Sequence, residues 1–140
     1  MHIRKATKRD LEFFSPARDD LLEARALGLN YKEHIDSLDP EQCVVLIDGT
    51  TILALGGNNG DQVWFLTSYM VRHLGLKAKL QFRAAIKEYR DTMLAQYPVL
   101  WNYIWTGNTD HYRFLKSIGA EFHEEFLTAE RGQFQLFTIN

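Results

Sequence analysis

Tyr112 and the run His123-Glu124-Glu125 hold the side chains best suited to moving a proton. A phenol with a pKa of about 10 matches a basic leaving group such as a thiolate, and a carboxylate or imidazole can take the proton of an attacking amine. On a strand, alternation sends His123 and Glu125 to one face and Glu124 to the other, so a base is available on either side. His111 adds an imidazole one residue before Tyr112. Arg72, Lys77 and Lys79 lie at the start of the longest helical pattern, where cations and the unpaired N–H groups of a first turn both suit an anion. Each group also has a plainer role. Tyr112 can pack its helix on a sheet, the acidic triplet can protect a strand edge, and the cations can form a solvated helix start.

Other chemistries find little support. Cys43 sits between Gln42 and Val44 with no basic neighbour to lower its pKa, and a single cysteine forms neither an intramolecular disulfide nor a cysteine metal cluster. No nucleophile elbow, Walker loop, dinucleotide fingerprint or paired-histidine zinc spacing is present, so no metal is expected. Gly56-Gly57-Asn58-Asn59-Gly60 precedes a strand pattern and lacks the helix N-terminus that lets glycine loops hold phosphate, so it reads as a turn. With 16 basic and 18 acidic residues the formal charge is −2, which gives no field to gather nucleic acid or an anionic membrane. The 140 residues, 46% hydrophobic and 24% charged, match one self-folding domain over residues 1–140. The polar run His2 to Lys8 is no leader and no apolar run reaches the roughly 18 residues of a spanning helix, so a cytoplasmic address is expected.

The elements that must position these groups are legible in outline. Ile3 to Thr7 reads as a first strand, and Thr7 with Asp10 as a capping box that starts a helix. Ser15-Pro16 predicts a helix over Pro16 to Leu27, closed by Gly28, and Tyr31 to Leu38 a short one stopped by Asp39-Pro40. Cys43 to Ile47 and Thr51 to Leu55 flank the hairpin signal Asp48-Gly49, and Gln62 to Thr67 adds a third strand. Ala78, Phe82, Ala85, Ile86, Tyr89 and Met93 recur at helical spacing up to Pro98. Val99 to Trp105 is apolar enough for a central strand. His111 to Ile118 is a helix closed by Gly119, before strands Ala120 to Leu127 and Gln133 to Ile139. Asn108 or Thr109 caps that helix, and Tyr112, Leu115 and Ile118 share one face. Hairpins mixed with crossover helices imply an α/β (α+β) fold with a mixed, mostly antiparallel sheet of about six to seven strands and about four helices.

This order resembles that of the GNAT N-acyltransferases, and Asn108 to Gly119 resembles their strand-Asn-helix-Gly element. Gly56-Gly57-Asn58, Trp64 to Ser68, Leu100 to Tyr103 and Phe114 to Gly119 together resemble small GNAT-fold proteins of tailed phages, the internal virion protein A family of T-seven-like podophages. The resemblance implies acetyl-CoA as cofactor and an amine as acceptor. Backbone groups of Leu66, Thr67 and Ser68 would hold the pantetheine, Arg72, Gly75 and Lys77 the pyrophosphate, and Asn108 would lie beside the cofactor. Lys77 replaces the family's small residue. Leu115 stands where many members carry the tyrosine acid, leaving Tyr112 as substitute and Glu124 as a candidate base. The alternative implied by the phage likeness is a non-catalytic internal virion or assembly protein. It would bind phage structural or host proteins in the host cytoplasm or on the forming particle.

Overall fold

Runs rich in β-branched and aromatic residues form seven strands: β1 (His2–Lys5), β2 (Cys43–Asp48), β3 (Thr51–Asn59), β4 (Gln62–Thr67), β5 (Leu100–Trp105), β6 (Glu121–Ala129) and β7 (Gly132–Ile139). They form one sheet in the order β1-β2-β3-β4-β5-β7-β6, in a computed structural model that describes every residue from Met1 to Asn140. All neighbours are antiparallel except β4 and β5. Five helices connect them: α1 (Lys8–Phe13), α2 (Arg18–Ala26), α3 (Tyr31–Asp36), α4 (Leu76–Leu94) and α5 (Thr109–Ser117). The mixed α/β architecture is the one expected from the sequence. None of its helices is long and apolar enough to cross a membrane.

Local signals account for several boundaries. The Thr7 hydroxyl accepts from Asp10 N at 3.2 Å and the Asp10 carboxylate accepts from Thr7 N at 2.8 Å, a capping box of the kind that stabilises a helix start by about 1 kcal/mol. Arg4 forks onto the same carboxylate at 2.6 and 3.1 Å, which ties β1 to α1 and holds Asp10 below the usual carboxylate range. Gly49 turns the β2–β3 hairpin with φ of +62°, and Gly119 ends α5 with φ of +96°. On β2, alternation sends Cys43, Val45 and Ile47 toward α1 and α3, and Leu46 toward Phe82 of α4. Burial pushes the Cys43 thiol up, in keeping with an inert core cysteine.

Two expectations fail for reasons of tertiary contact. Gly56 and Gly57 are not a loop but lie inside β3, opposite Phe65 and Trp64. A Cβ on Gly57 would lie 2.9 Å from both Gln42 O and Trp64 Cζ2, so the glycines serve close packing instead of a turn. Pro16 does not open α2. It forms a bridge with Ser68, and α2 starts two residues later at Arg18. The helix-start signal of Ser15-Pro16 is outcompeted because Ala17 N donates to Thr67 O at 2.8 Å and Ser15 O accepts from Tyr69 N at 3.1 Å.

Candidate functional site

The parallel neighbours β4 and β5 are registered at one pair only, Gln62 with Trp101. One step further, Asn102 bridges them with its side chain, donating from Nδ2 to Val63 O at 2.8 Å and accepting from Gln62 Nε2 at 3.3 Å. Beyond that the strands no longer satisfy each other, and the polar groups at Thr67 and Trp105 need other partners.

Helix α2 supplies them. Asp20 and Glu23 lie three residues apart and therefore share a helix face. Asp20 Oδ2 accepts from Thr67 N at 2.8 Å and Thr67 Oγ1 at 3.1 Å, while Glu23 Oε1 accepts from Trp105 N at 2.6 Å. One helix face thus caps the ends of both strands, in effect an acidic latch across the wedge. The extended segment Ser15–Ala17 covers the same edge of β4 through Thr67 O and Tyr69 N.

Asn108 completes the arrangement from the start of α5. It is 1% exposed, its Nδ2 donates to Asp20 Oδ1 at 3.1 Å, and its Oδ1 accepts from His111 N at 3.3 Å as the helix cap. Those two bonds fix the amide, so Nδ2 also faces His111 Nδ1 at 3.3 Å and the imidazole proton belongs on Nε2. Burial lowers the His111 pKa against the pull of Asp20 and keeps the ring neutral. Its edge rests on Phe65, 4.3 Å between centroids. Glu23 is pushed up to about 7, chiefly by burial and further by Asp20, with the Trp105 N–H opposing. A largely apolar cavity of about 780 Å³ adjoins the latch, and Asp20, Glu23, Tyr31 and His111 are among the few polar groups on its wall. The Tyr31 hydroxyl is buried without a partner, and burial raises its pKa to about 12.

Asp20, Glu23 and His111 bring ligand atoms within 4.8 Å of one another. Yet the Asn108 amide points N–H groups at both Asp20 Oδ1 and His111 Nδ1, where a cation would need lone pairs. The donor set suits a hydrogen-bonded network better than a coordination shell.

The sequence had singled out neither Asp20 nor Glu23. Helical spacing puts Asp20, Glu23 and Ala24 on one face of α2, but it equally groups Asp19 with Leu22, Glu23 and Ala26, so the pattern alone does not pick out Asp20. Of the residues it did single out, Thr67 has its N–H and C=O engaged by α2 and its lead-in, and Ser68 N donates to Leu53 O at 2.8 Å. Leu66 lies opposite Leu55 in the β3–β4 ladder. Arg72 is exposed in the 3-10 turn ahead of α4, Gly75 and Lys77 are exposed at the start of that helix, and a Cβ on Gly75 would meet nothing within 4 Å. Tyr112 donates to Gln135 Oε1 at 2.8 Å and packs on Phe122, and burial raises its pKa. Glu124 is exposed on β6 where a bulge between Phe122 and Phe126 interrupts the ladder with β7. The bulge also breaks the simple alternation expected there. His123 pairs with Thr138 Oγ1 at 2.7 Å, and Glu125 accepts from Tyr103 OH at 2.6 Å.

A protein family described as bacteriophage T7 probable scaffold protein Gp13 matches residues 42–127. The probable scaffold protein gp13 of Escherichia phage T7 is 52% identical over 139 residues, 99% of this chain and 96% of that protein. The chain belongs to this phage scaffold-protein family. In fold it is similar to solved acetyltransferases at low identity. A GNAT-family acetyltransferase from Bacillus anthracis superposes with a TM-score of 0.65 at 13% identity, covering 98% of this chain and 92% of that one. The ribosomal-protein-alanine N-acetyltransferase of Brucella melitensis gives 0.64 at 12%, covering 99% and 98%. AAC(6')-Ib, solved with ribostamycin and coenzyme A, gives 0.63 at 11%, covering 99% and 92%. The likeness establishes a GNAT frame.

Backbone groups that the resemblance assigns to a pantetheine arm are taken up within the chain in this conformation. The Thr67 and Ser68 N–H groups and the Thr67 carbonyl that it would use already have partners within the chain, and Asn108 is buried in the latch. Leu115, at the position of the tyrosine acid, is 1% exposed among Met93, Leu100, Ile104 and Ile118. Leu115→Tyr is therefore expected to overpack the core, lowering stability by about 1–2 kcal/mol in chemical denaturation without creating acetyl-transfer activity.

Proposed function

We propose that the protein is a non-catalytic assembly factor of the phage particle, working through contacts with other proteins on a GNAT frame. The observation that supports this reading best is the latch: Asp20 and Ser15–Ala17 take up the Thr67 backbone groups on which a CoA-dependent enzyme would hold its cofactor. The buried leucine at position 115 adds to it. Membership of a scaffold-protein family agrees with a place among particle proteins during assembly. The exposed Arg72, Gly75 and Lys77 favour the competing reading, an acetyl-CoA-dependent N-acetyltransferase, because a phosphate could still reach them.

Calorimetry and thermal shift with acetyl-CoA separate the two. A ligand present at about one hundred times its Kd and bound only by the folded state raises stability by roughly 2.7 kcal/mol. We expect no saturable heat and no shift with acetyl-CoA at about 1 mM, and retention on particle structural proteins in both Arg72→Ala and Tyr112→Phe. Saturable cofactor binding, or loss of that retention in both variants, would refute the non-catalytic reading.

A further inference from the structure

The segment from Tyr69 to Lys87 carries Arg72, Lys77, Lys79, Arg83 and Lys87 and not one aspartate or glutamate, although the remainder of the chain has 11 basic residues against 18 acidic. None of the five cations enters an ion pair within the protein. The same segment holds four large apolar side chains that face solvent: Tyr69 at 54% exposure, Met70 at 40%, Leu76 at 76% and Leu80 at 51%. Leu76, Leu80, Arg83 and Lys87 follow one another at spacings of four, three and four, so they form one stripe along α4, about 16 Å long. The opposite face of α4 is the buried one, with Phe82 and Met93 in the core. The stripe is therefore apolar at its N-terminal end, cationic toward its middle, and without a partner in the chain.

We propose that this face of α4 docks an acidic amphipathic helix of another particle protein; the inference rests on the reading of the chain as an assembly factor. Charge complementarity favours an anionic occupant, since Arg83 and Lys87 lie on the stripe, Lys77 and Lys79 flank it on either side, and none of the four is paired within the chain. The leucines narrow the choice. A nucleic-acid backbone would neutralise the cations and leave Leu76 and Leu80 in water. A membrane surface would take the leucines, but Arg83 and Lys87 continue the same stripe and deny it the unbroken apolar face of an interfacial helix. A helix with apolar residues at i and i+4 followed by carboxylates covers both halves at once.

Photo-crosslinking from the full chain during infection tests this. A benzoylphenylalanine placed at position 76 or 80 reads the proposed face. The same probe at position 126 on β6, where Phe126 is 42% exposed, reads an unrelated one. Mass spectrometry of the adducts at 76 and 80 should find peptides in which carboxylates outnumber cations and apolar residues recur at helical spacing. The triple variant Lys77→Glu, Lys79→Glu, Arg83→Glu should cut their yield about ten-fold or more while its far-ultraviolet spectrum is unchanged. Adducts with neutral or basic peptides, lipid or nucleic acid, or a yield indifferent to charge reversal, overturn the proposal. Adducts to particle proteins at 126 alone overturn it and leave the assembly reading standing; no protein adduct at any of the three positions overturns both.

Discussion

Asp20→Ala is expected to be the most damaging single substitution at the wedge, lowering stability by about 3 kcal/mol through the loss of one carboxylate. Asp20 is 4% exposed and satisfies the Thr67 N–H, the Thr67 hydroxyl and the Asn108 amide together. Alanine takes this acceptor from all three and opens a void where the carboxylate stood. The loss corresponds to a fall in Tm of roughly 10 °C for a chain of this size. Asp20→Asn keeps an oxygen for Thr67 N and should lose less. If Asp20→Ala melted within a degree or two of the parent, the carboxylate would not be holding the strand end.

Glu23→Gln should act in the opposite direction, and its sign follows from the shift. The carboxyl titrates at about 7 in the folded chain against an ordinary value of 4.5, because burial and Asp20 disfavour its charge. Below about pH 4.5 Glu23 is protonated in both states and costs nothing. As pH rises through this window the unfolded chain releases its proton first, so the folded state loses stability until both are ionised above about 7. Gln keeps an oxygen acceptor for Trp105 N and removes the charge. At 1.36 kcal/mol per pKa unit it should gain up to roughly 3 kcal/mol over the parent at pH 8 and almost nothing at pH 4. Urea denaturation of both proteins across that range checks the slope; parallel curves for parent and variant would contradict the assignment. His111, held neutral by burial, works the other way and takes stability away as pH falls below its ordinary 6.5.

Elements whose signals are local were legible in the sequence. The Thr7–Asp10 box, the Gly49 hairpin, and the Asn108 cap with the Gly119 exit all depend on residues within a dozen positions of one another. The latch depends on pairs far apart in the chain. Asp20 meets Thr67 across 47 residues and Glu23 meets Trp105 across 82. Nothing near Asp20 distinguishes it from the neighbouring Asp19, which is not part of the network. The same distance explains Pro16, whose helix-starting character yields to a strand-like contact with Ser68, and Gly57, which reads as a turn until Trp64 is seen against it. The resemblance found the frame through Asn108. The bonds of its amide to Asp20 and of its oxygen to the helix it caps were not legible from that likeness.

Amide exchange at Thr67 and Trp105, followed residue by residue by NMR with and without acetyl-CoA, tests most directly whether the chain itself closes the wedge. Both N–H groups should exchange as slowly as those inside the sheet, and neither should move when acetyl-CoA reaches about 1 mM, a concentration that would saturate a micromolar site. In Asp20→Ala, protection should fall at Thr67. Rapid exchange at both amides in the parent protein, or saturable shifts of both on adding the cofactor, would contradict a wedge closed by α2.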